Sequence, residues 1–152
     1  MKFSKSAKSK SKWANFFSKF LFFDEDFSVH AEEIYDTHKW PKNPLFYICC
    51  PSKTDKNIAP DGKENLFFLI PVSTELKDNE EIKEAYFDQI CNRLEKHTGT
   101  DIRPFIEIKE SFAHSDFVSE YNSFKGNAYG LANTLRQTAF LKPRCKNDKL
   151  EN

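Results

Sequence analysis

The sequence predicts an α+β fold: a small, mostly antiparallel sheet of about three strands, one long packing helix and a shorter one. Three observations carry this. Residues 45–50 (LFYICC) and 65–72 (NLFFLIPV) are short apolar, aromatic runs bounded by Pro51, Gly62 and Pro71, the length and composition of strands. Residues 102–112 (IRPFIEIKESF) alternate, with Ile106, Ile108 and Phe112 on one face and Arg103, Glu107 and Lys109 on the other. Residues 79–97 repeat their apolar positions at helical spacing. A chain of 152 residues can build one domain with a sizeable core.

In chain order, residues 1–20 carry six lysines and no acid, interleaved with serine and then with Trp13, Phe16, Phe17 and Phe20. Ser18 and Lys19 break the apolar part, so it is no secretory signal. It reads either as a basic amphipathic segment for an anionic membrane surface or as a disordered leader outside the fold. Residues 22–38 turn acidic around His30 and His38, whose spacing of eight gives no metal-ligand pattern and points to a solvated face. Trp40, Pro41 and Pro44 then lead into the first apolar run. The polar link before residue 65 predicts that the two runs pair antiparallel.

The long helix is predicted to be capped by Asp78 with Glu81 in a capping box, and to end at Gly99. Ile82, Ala85, Tyr86, Ile90 and Leu94 form its expected apolar stripe. Pro104 places the third strand at an edge or bulge. A short helix is expected over 115–121, followed by Gly126 and Gly130. That pair suits either a turn with a helix start or a loop laid against something planar. After Pro143 the chain is polar and charged.

Lysine plus arginine and aspartate plus glutamate number 23 each, so no global charge points to nucleic acid. The apolar runs all fall short of the ~18 residues a bilayer span requires. Cys49, Cys50, Cys91 and Cys145 lack a C-x-x-C or zinc spacing, and predict reduced, cytosolic thiols with no metal. Ser111, His114 and Asp116 lie close in sequence without a G-x-S-x-G elbow, so no catalytic residue is assigned.

Both apolar runs lack alternation: Leu66, Phe68 and Ile70 face one side, Phe67 and Leu69 the other. Burying one such side chain is worth ~1.5–3 kcal/mol. Leaving five in water costs roughly 10 kcal/mol, comparable with the ~5–15 kcal/mol that holds a whole domain. A second cover is therefore expected: more polypeptide, a partner, or a long apolar ligand.

Residues 45–55 (LFYICCPSKTD), 64–72 (ENLFFLIPV) and 124–143 (FKGNAYGLANTLRQTAFLKP) together resemble the FAD-dependent phytoene desaturases of carotenoid biosynthesis, from about residue 21 onward. The resemblance implies an oxidoreductase that introduces double bonds into a C40 polyene. It divides the chain into a leader (1–20), a segment like the substrate domain of flavin amine-oxidase and desaturase enzymes (21–143), and a polar tail (144–152). It further implies a substrate tunnel along Phe46, Phe67, Phe68, Phe124 and Leu131, with Gly126, Asn127, Tyr129, Gly130 and Thr134 near the flavin. No G-x-G-x-x-G is present, so this chain is expected to be an internal piece of such an enzyme, inactive alone. Its expected partners are the carotene and the absent flavin-binding part, with FAD bound weakly or not at all by this chain. The expected place is the cytoplasm, peripheral to the inner membrane surface if the leader docks there. Two alternatives stay open: a small non-enzymatic module binding lipid or a partner, or a piece of another flavin oxidoreductase such as a retinoid saturase or amine oxidase relative.

Overall fold

The structure is a computed structural model and describes residues 19–22 and 24–129. Leader residues 1–18, Cys145 and the glycine block beyond Tyr129, including Gly130, Leu131 and Thr134, lie outside the described residues. Three strands form one antiparallel sheet in the order β1 (Lys19–Phe22), β2 (Phe46–Cys49), β3 (Phe67–Leu69). Three helices accompany it: α1 (Phe27–Tyr35), α2 (Glu80–Thr98) and α3 (His114–Tyr121). The α+β class and the antiparallel pairing of the two apolar runs are as expected.

The register sets Ile48 opposite Phe68, and Tyr47 and Cys49 opposite Leu69 and Phe67. Side chains alternate across a pleated strand, so this sorts the apolar runs into two faces. Phe46, Ile48 and Leu66 are buried with Phe87, Ile90, Cys91 and Leu94 of α2, and Phe68 and Ile70 pack against that cluster. The opposite face is only partly shielded: Tyr47, Cys49 and Leu69 are half-buried and Phe67 is 44% exposed. One face of the sheet thus closes on α2.

Three sequence expectations need correction. The third strand is residues 19–22, not 102–112. Arg103–Phe105 instead form a single 3-10 turn with proline in its first turn, where the missing N–H removes no helical bond. The segment is tied to α2 by its own side chains and not by a ladder. Arg103 reaches Asp88 and Asn92, and Lys109 pairs with Glu84 over the ring of Phe87. Ile102 is buried while Ile108 and Phe112 are exposed, so the alternation does not sort inside from outside.

The cap of α2 is Asn79, whose side chain accepts from the Ile82 N–H at 2.8 Å. Asp78 serves the next element instead, accepting from the backbone and hydroxyl of Ser115. The buried stripe is also rotated, to Phe87, Ile90, Cys91 and Leu94, leaving Ala85 exposed. Gly99 ends the helix in the left-handed conformation (φ 70°, ψ 18°), as expected.

Helix α1 is a third difference, lying in the stretch read as a solvated acidic face. Asp26 caps it by accepting from Ser28 N–H, and most of its acids do face solvent. Its two buried residues, His30 and Ile34, anchor it. The His30 ring accepts from Leu45 N–H at Nδ1 (2.7 Å), and its Nε2 lies 3.2 Å from the Pro71 carbonyl. A structural histidine therefore ties α1 to the entry of β2 and the exit of β3.

Candidate functional site

A cleft of about 400 Å3 runs along β3, α2 and the 110–117 segment. Residues 67–72 all contribute to its wall, although alternate side chains of a strand point to opposite faces. Among the described residues β3 pairs with β2 alone, so the cleft follows the strand's outer edge. Ile82, Phe87 and Ile90 form the α2 wall, and Phe112 and Phe117 the far wall, their rings edge-to-face at 4.8 Å. Gly126 to Tyr129 complete it.

The polar groups in this wall are mostly engaged. Tyr86 donates to the Pro41 carbonyl at 2.5 Å, and burial, with Glu33 nearby, pushes its phenol up to about 12. Lys83, only 10% exposed in its side chain, lies 2.8 Å from Asp116 and 3.0 Å from Glu80. Hydrogen bonding to Asp116 raises the Lys83 amine. Burial pushes the Asp116 carboxyl up, but the bonds from Lys83 and the Ala113 N–H outweigh it and hold it below its ordinary value. This cluster clasps the start of α3 to the start of α2.

His114 occupies the cleft wall beneath that clasp. Its ring stands edge-on to Trp40 at 5.6 Å, and its Nε2 lies 2.6 Å from the Ser73 carbonyl. Gly126 presses on it from another side: a Cβ built there would sit 2.7 Å from the His114 Cβ and 2.9 Å from its Cα. Gly126 also has φ +67°, which only glycine adopts without strain. The close approach read from the sequence is therefore real at Gly126, and what approaches is a histidine.

The structure brings together residues that the sequence assigned to two functions. Phe67 and Phe68, expected in a tunnel, and Gly126, Asn127 and Tyr129, expected near a flavin, all line this one cleft. Phe46 is instead 2% exposed in the core under the Arg93 guanidinium, and Phe124 is 79% exposed outside the lining. Sequence reasoning missed His114, Trp40 and Tyr86 as wall residues. Their only signal was aromatic character, which core packing explains equally well.

Ser111, His114 and Asp116 form no relay: His114 bonds to Ser73, and Asp116 to Ala113 and Lys83. Among the described residues no group of three or more histidine, cysteine or acidic side chains is placed to hold a metal. Cys49, Cys50 and Cys91 are free thiols, and burial pushes Cys91 up to about 11. No described helix is long and apolar enough to cross a membrane.

No family model matches the chain. Individual relatives do, and their names define a class: enzymes that oxidise carotenoid-type polyenes. A carotenoid 3,4-desaturase of Haloarcula japonica is 42% identical over 126 residues, covering 83% of this chain and 26% of its own length. A 4,4'-diapolycopen-4-al dehydrogenase of Metabacillus indicus is 30% identical over 87% of this chain and 27% of its own length. A 4,4'-diapophytoene desaturase of Staphylococcus aureus is 31% identical over 82% of this chain and 26% of its own length. Within that class, the chain is a relative of the carotenoid desaturases, spanning about a quarter of the length of these proteins.

Proposed function

We propose that this chain forms substrate-side structure of a carotenoid desaturase, its cleft receiving part of a polyene. The observation that carries the reading is the meeting of Phe67 and Phe68 with Gly126, Asn127 and Tyr129 around one apolar cleft, in a chain related to carotenoid desaturases. A desaturase must hold an unactivated hydrocarbon in line, keep water away and leave electron transfer to a cofactor. Aromatic walls along a strand edge suit the first two tasks. About 400 Å3 accommodates a portion of a long polyene, not its whole length.

The family implies FAD. At Gly126 the space a Cβ would fill is taken by His114, so packing alone accounts for glycine there. No step through a flavin is assigned to this chain. Its own residues bind, orient and exclude water.

The test is a chimaera in which residues 24–129 replace the corresponding stretch of the Haloarcula japonica carotenoid 3,4-desaturase. Retained desaturation, lost on Phe67→Asp or Tyr129→Asp, is expected. Both positions are exposed (44% and 81%), so a charge there spares the core. Undiminished turnover in both variants sinks the placement of the polyene. A lipid-binding module is the competing outcome: a chimaera that folds and takes up fatty acid but turns over no carotenoid.

A further inference from the structure

We propose that residues 123–129 form a gate on the cleft, latched shut by Glu75 and Lys125. The inference rests on the cleft receiving an apolar chain and adds how that ligand enters and leaves. The arm departs from α3 at Asn122, which caps the helix in the left-handed conformation (φ 51°, ψ 34°). Gly126, Asn127, Ala128 and Tyr129 then supply cleft wall. The arm is braced on itself: Gly126 N–H donates to the Ser123 carbonyl, Asn127 N–H to the Phe124 carbonyl, and Tyr129 N–H to the Asn127 side chain. Among residues 123–129 the buried one is Gly126, which has no side chain to expose, while Phe124 and Tyr129 are already open to solvent. Swinging the arm aside therefore uncovers little apolar side chain.

Gly126 seats the closed arm against His114, and a two-point clasp fastens it to the link between β3 and α2. Glu75 N–H donates to the Lys125 carbonyl at 3.2 Å, and the Lys125 Nζ lies 2.8 Å from the Glu75 carboxylate. Thr74, next to Glu75, is also cleft wall, so the clasp joins two walls. Both clasp residues sit at positive φ, 64° and 58°. A Cβ makes that region costly, and neither residue is the glycine or asparagine that tolerates it. Strain of this kind persists only where surrounding contacts enforce it, and opening relieves it. The opposing ion pair has side chains 43% and 59% exposed, so it holds weakly and salt screens it.

The experiment follows diphenylhexatriene, a hydrocarbon polyene that fluoresces on leaving water, as it binds the full chain in stopped flow. A latch sets how often the cleft opens in free and loaded protein alike. Glu75→Lys and Lys125→Glu each set like charges together. Each should speed association and release by the same factor, about threefold, with Kd unchanged. The double charge swap should restore the slow rates, and about 0.5 M salt should speed the natural chain but not Glu75→Gln. Phe67→Asp, in the cleft wall, should weaken binding and so place the probe. Unchanged rates in both single variants, or a change in release alone, overturn the latch and leave the cleft standing, because a plain wall residue alters how long a ligand stays. A probe that does not bind, or that ignores Phe67→Asp, overturns the latch and the cleft reading together.

Discussion

Replacing Gly126 with alanine separates two costs that usually come together. Gly62, Gly99 and Gly126 have nearly equal left-handed φ values (+72°, +70° and +67°). An L side chain in that conformation costs roughly 1–2 kcal/mol. At Gly62 and Gly99 a new Cβ meets nothing within 4 Å, so that cost stands alone. At Gly126 it would lie 2.7 Å from the Cβ and 2.9 Å from the Cα of His114. Neither atom is the far end of a flexible side chain, and the His114 ring is held by Trp40 and Ser73. Overpacking of this kind adds about 1–3 kcal/mol. Urea unfolding of the three alanine variants should therefore place Gly126→Ala lowest, by about 1 M in midpoint for a slope of 1–3 kcal/mol/M. Gly126→Ala should also disturb the near-ultraviolet signal of tryptophan, because Trp40 abuts the displaced ring. Three equal midpoints would show that the 124–129 arm is not seated on His114, and the cleft would lose one of its walls.

Asn79→Ala should cost about 1 kcal/mol by chemical denaturation, because it removes the cap of α2. Asp78→Ala should leave the helicity of α2 intact by circular dichroism and loosen α3 instead, seen as faster amide exchange at Ser115. Acid should attack the Asp24 contacts. Burial raises the Asp24 carboxyl, but hydrogen bonds from Arg93 and His97 and the Arg93 charge overcome this and lower it to about 2. A depressed carboxyl stabilises the fold above its unfolded value, ~3.9, and that contribution fades as pH falls through 2. Asp24→Asn should flatten the loss of stability between those limits; an unchanged acid limb would dismiss the interaction. Phe46→Ala should cost about 3–5 kcal/mol, and Phe67→Ala, at a 44% exposed position, under about 1 kcal/mol.

Local chemistry with one dominant reader was legible in the sequence. The two apolar runs had no rival to strand formation, and Gly99 after a helical stripe had no rival to a C-cap. Where two elements compete for one residue, sequence reasoning chose the nearer. Asp78 sits next to α2 and looks like its cap, but its carboxylate goes to Ser115, 37 positions away. The 102–112 segment alternates like a strand, yet Arg103 and Lys109 bind it sideways to α2, an arrangement no period records. Helix α1 was hidden because its burial rests on His30, a polar residue satisfied only by Leu45 and Pro71 in the folded state. At the site, Gly126 announced a close approach, but the identity of the approaching group depended on α3 returning to Ser73.

The sequence argued that the sheet has more apolar surface than one helix can cover, and the structure moves the surplus. Residues facing away from α2 are mostly half-buried, with Phe67 the open one. The larger exposed aromatics are Phe27 and Tyr35 on α1, and Phe112, Tyr121, Phe124 and Tyr129 on and around α3 and the arm after it. Phe112 and Tyr129 line the cleft, so a ligand held there would shield them together with Phe67. Tyr121 and Phe124 fall outside the lining, and an occupant of the cleft would leave them as they are. The apolar surface therefore divides into a part a polyene can cover and a part it cannot, and the boundary runs along α3. The Asp78, Lys83 and Asp116 clasp ties the first turn of that helix to the start of α2, so the cleft wall that α3 carries is fixed to the same helix that closes the core.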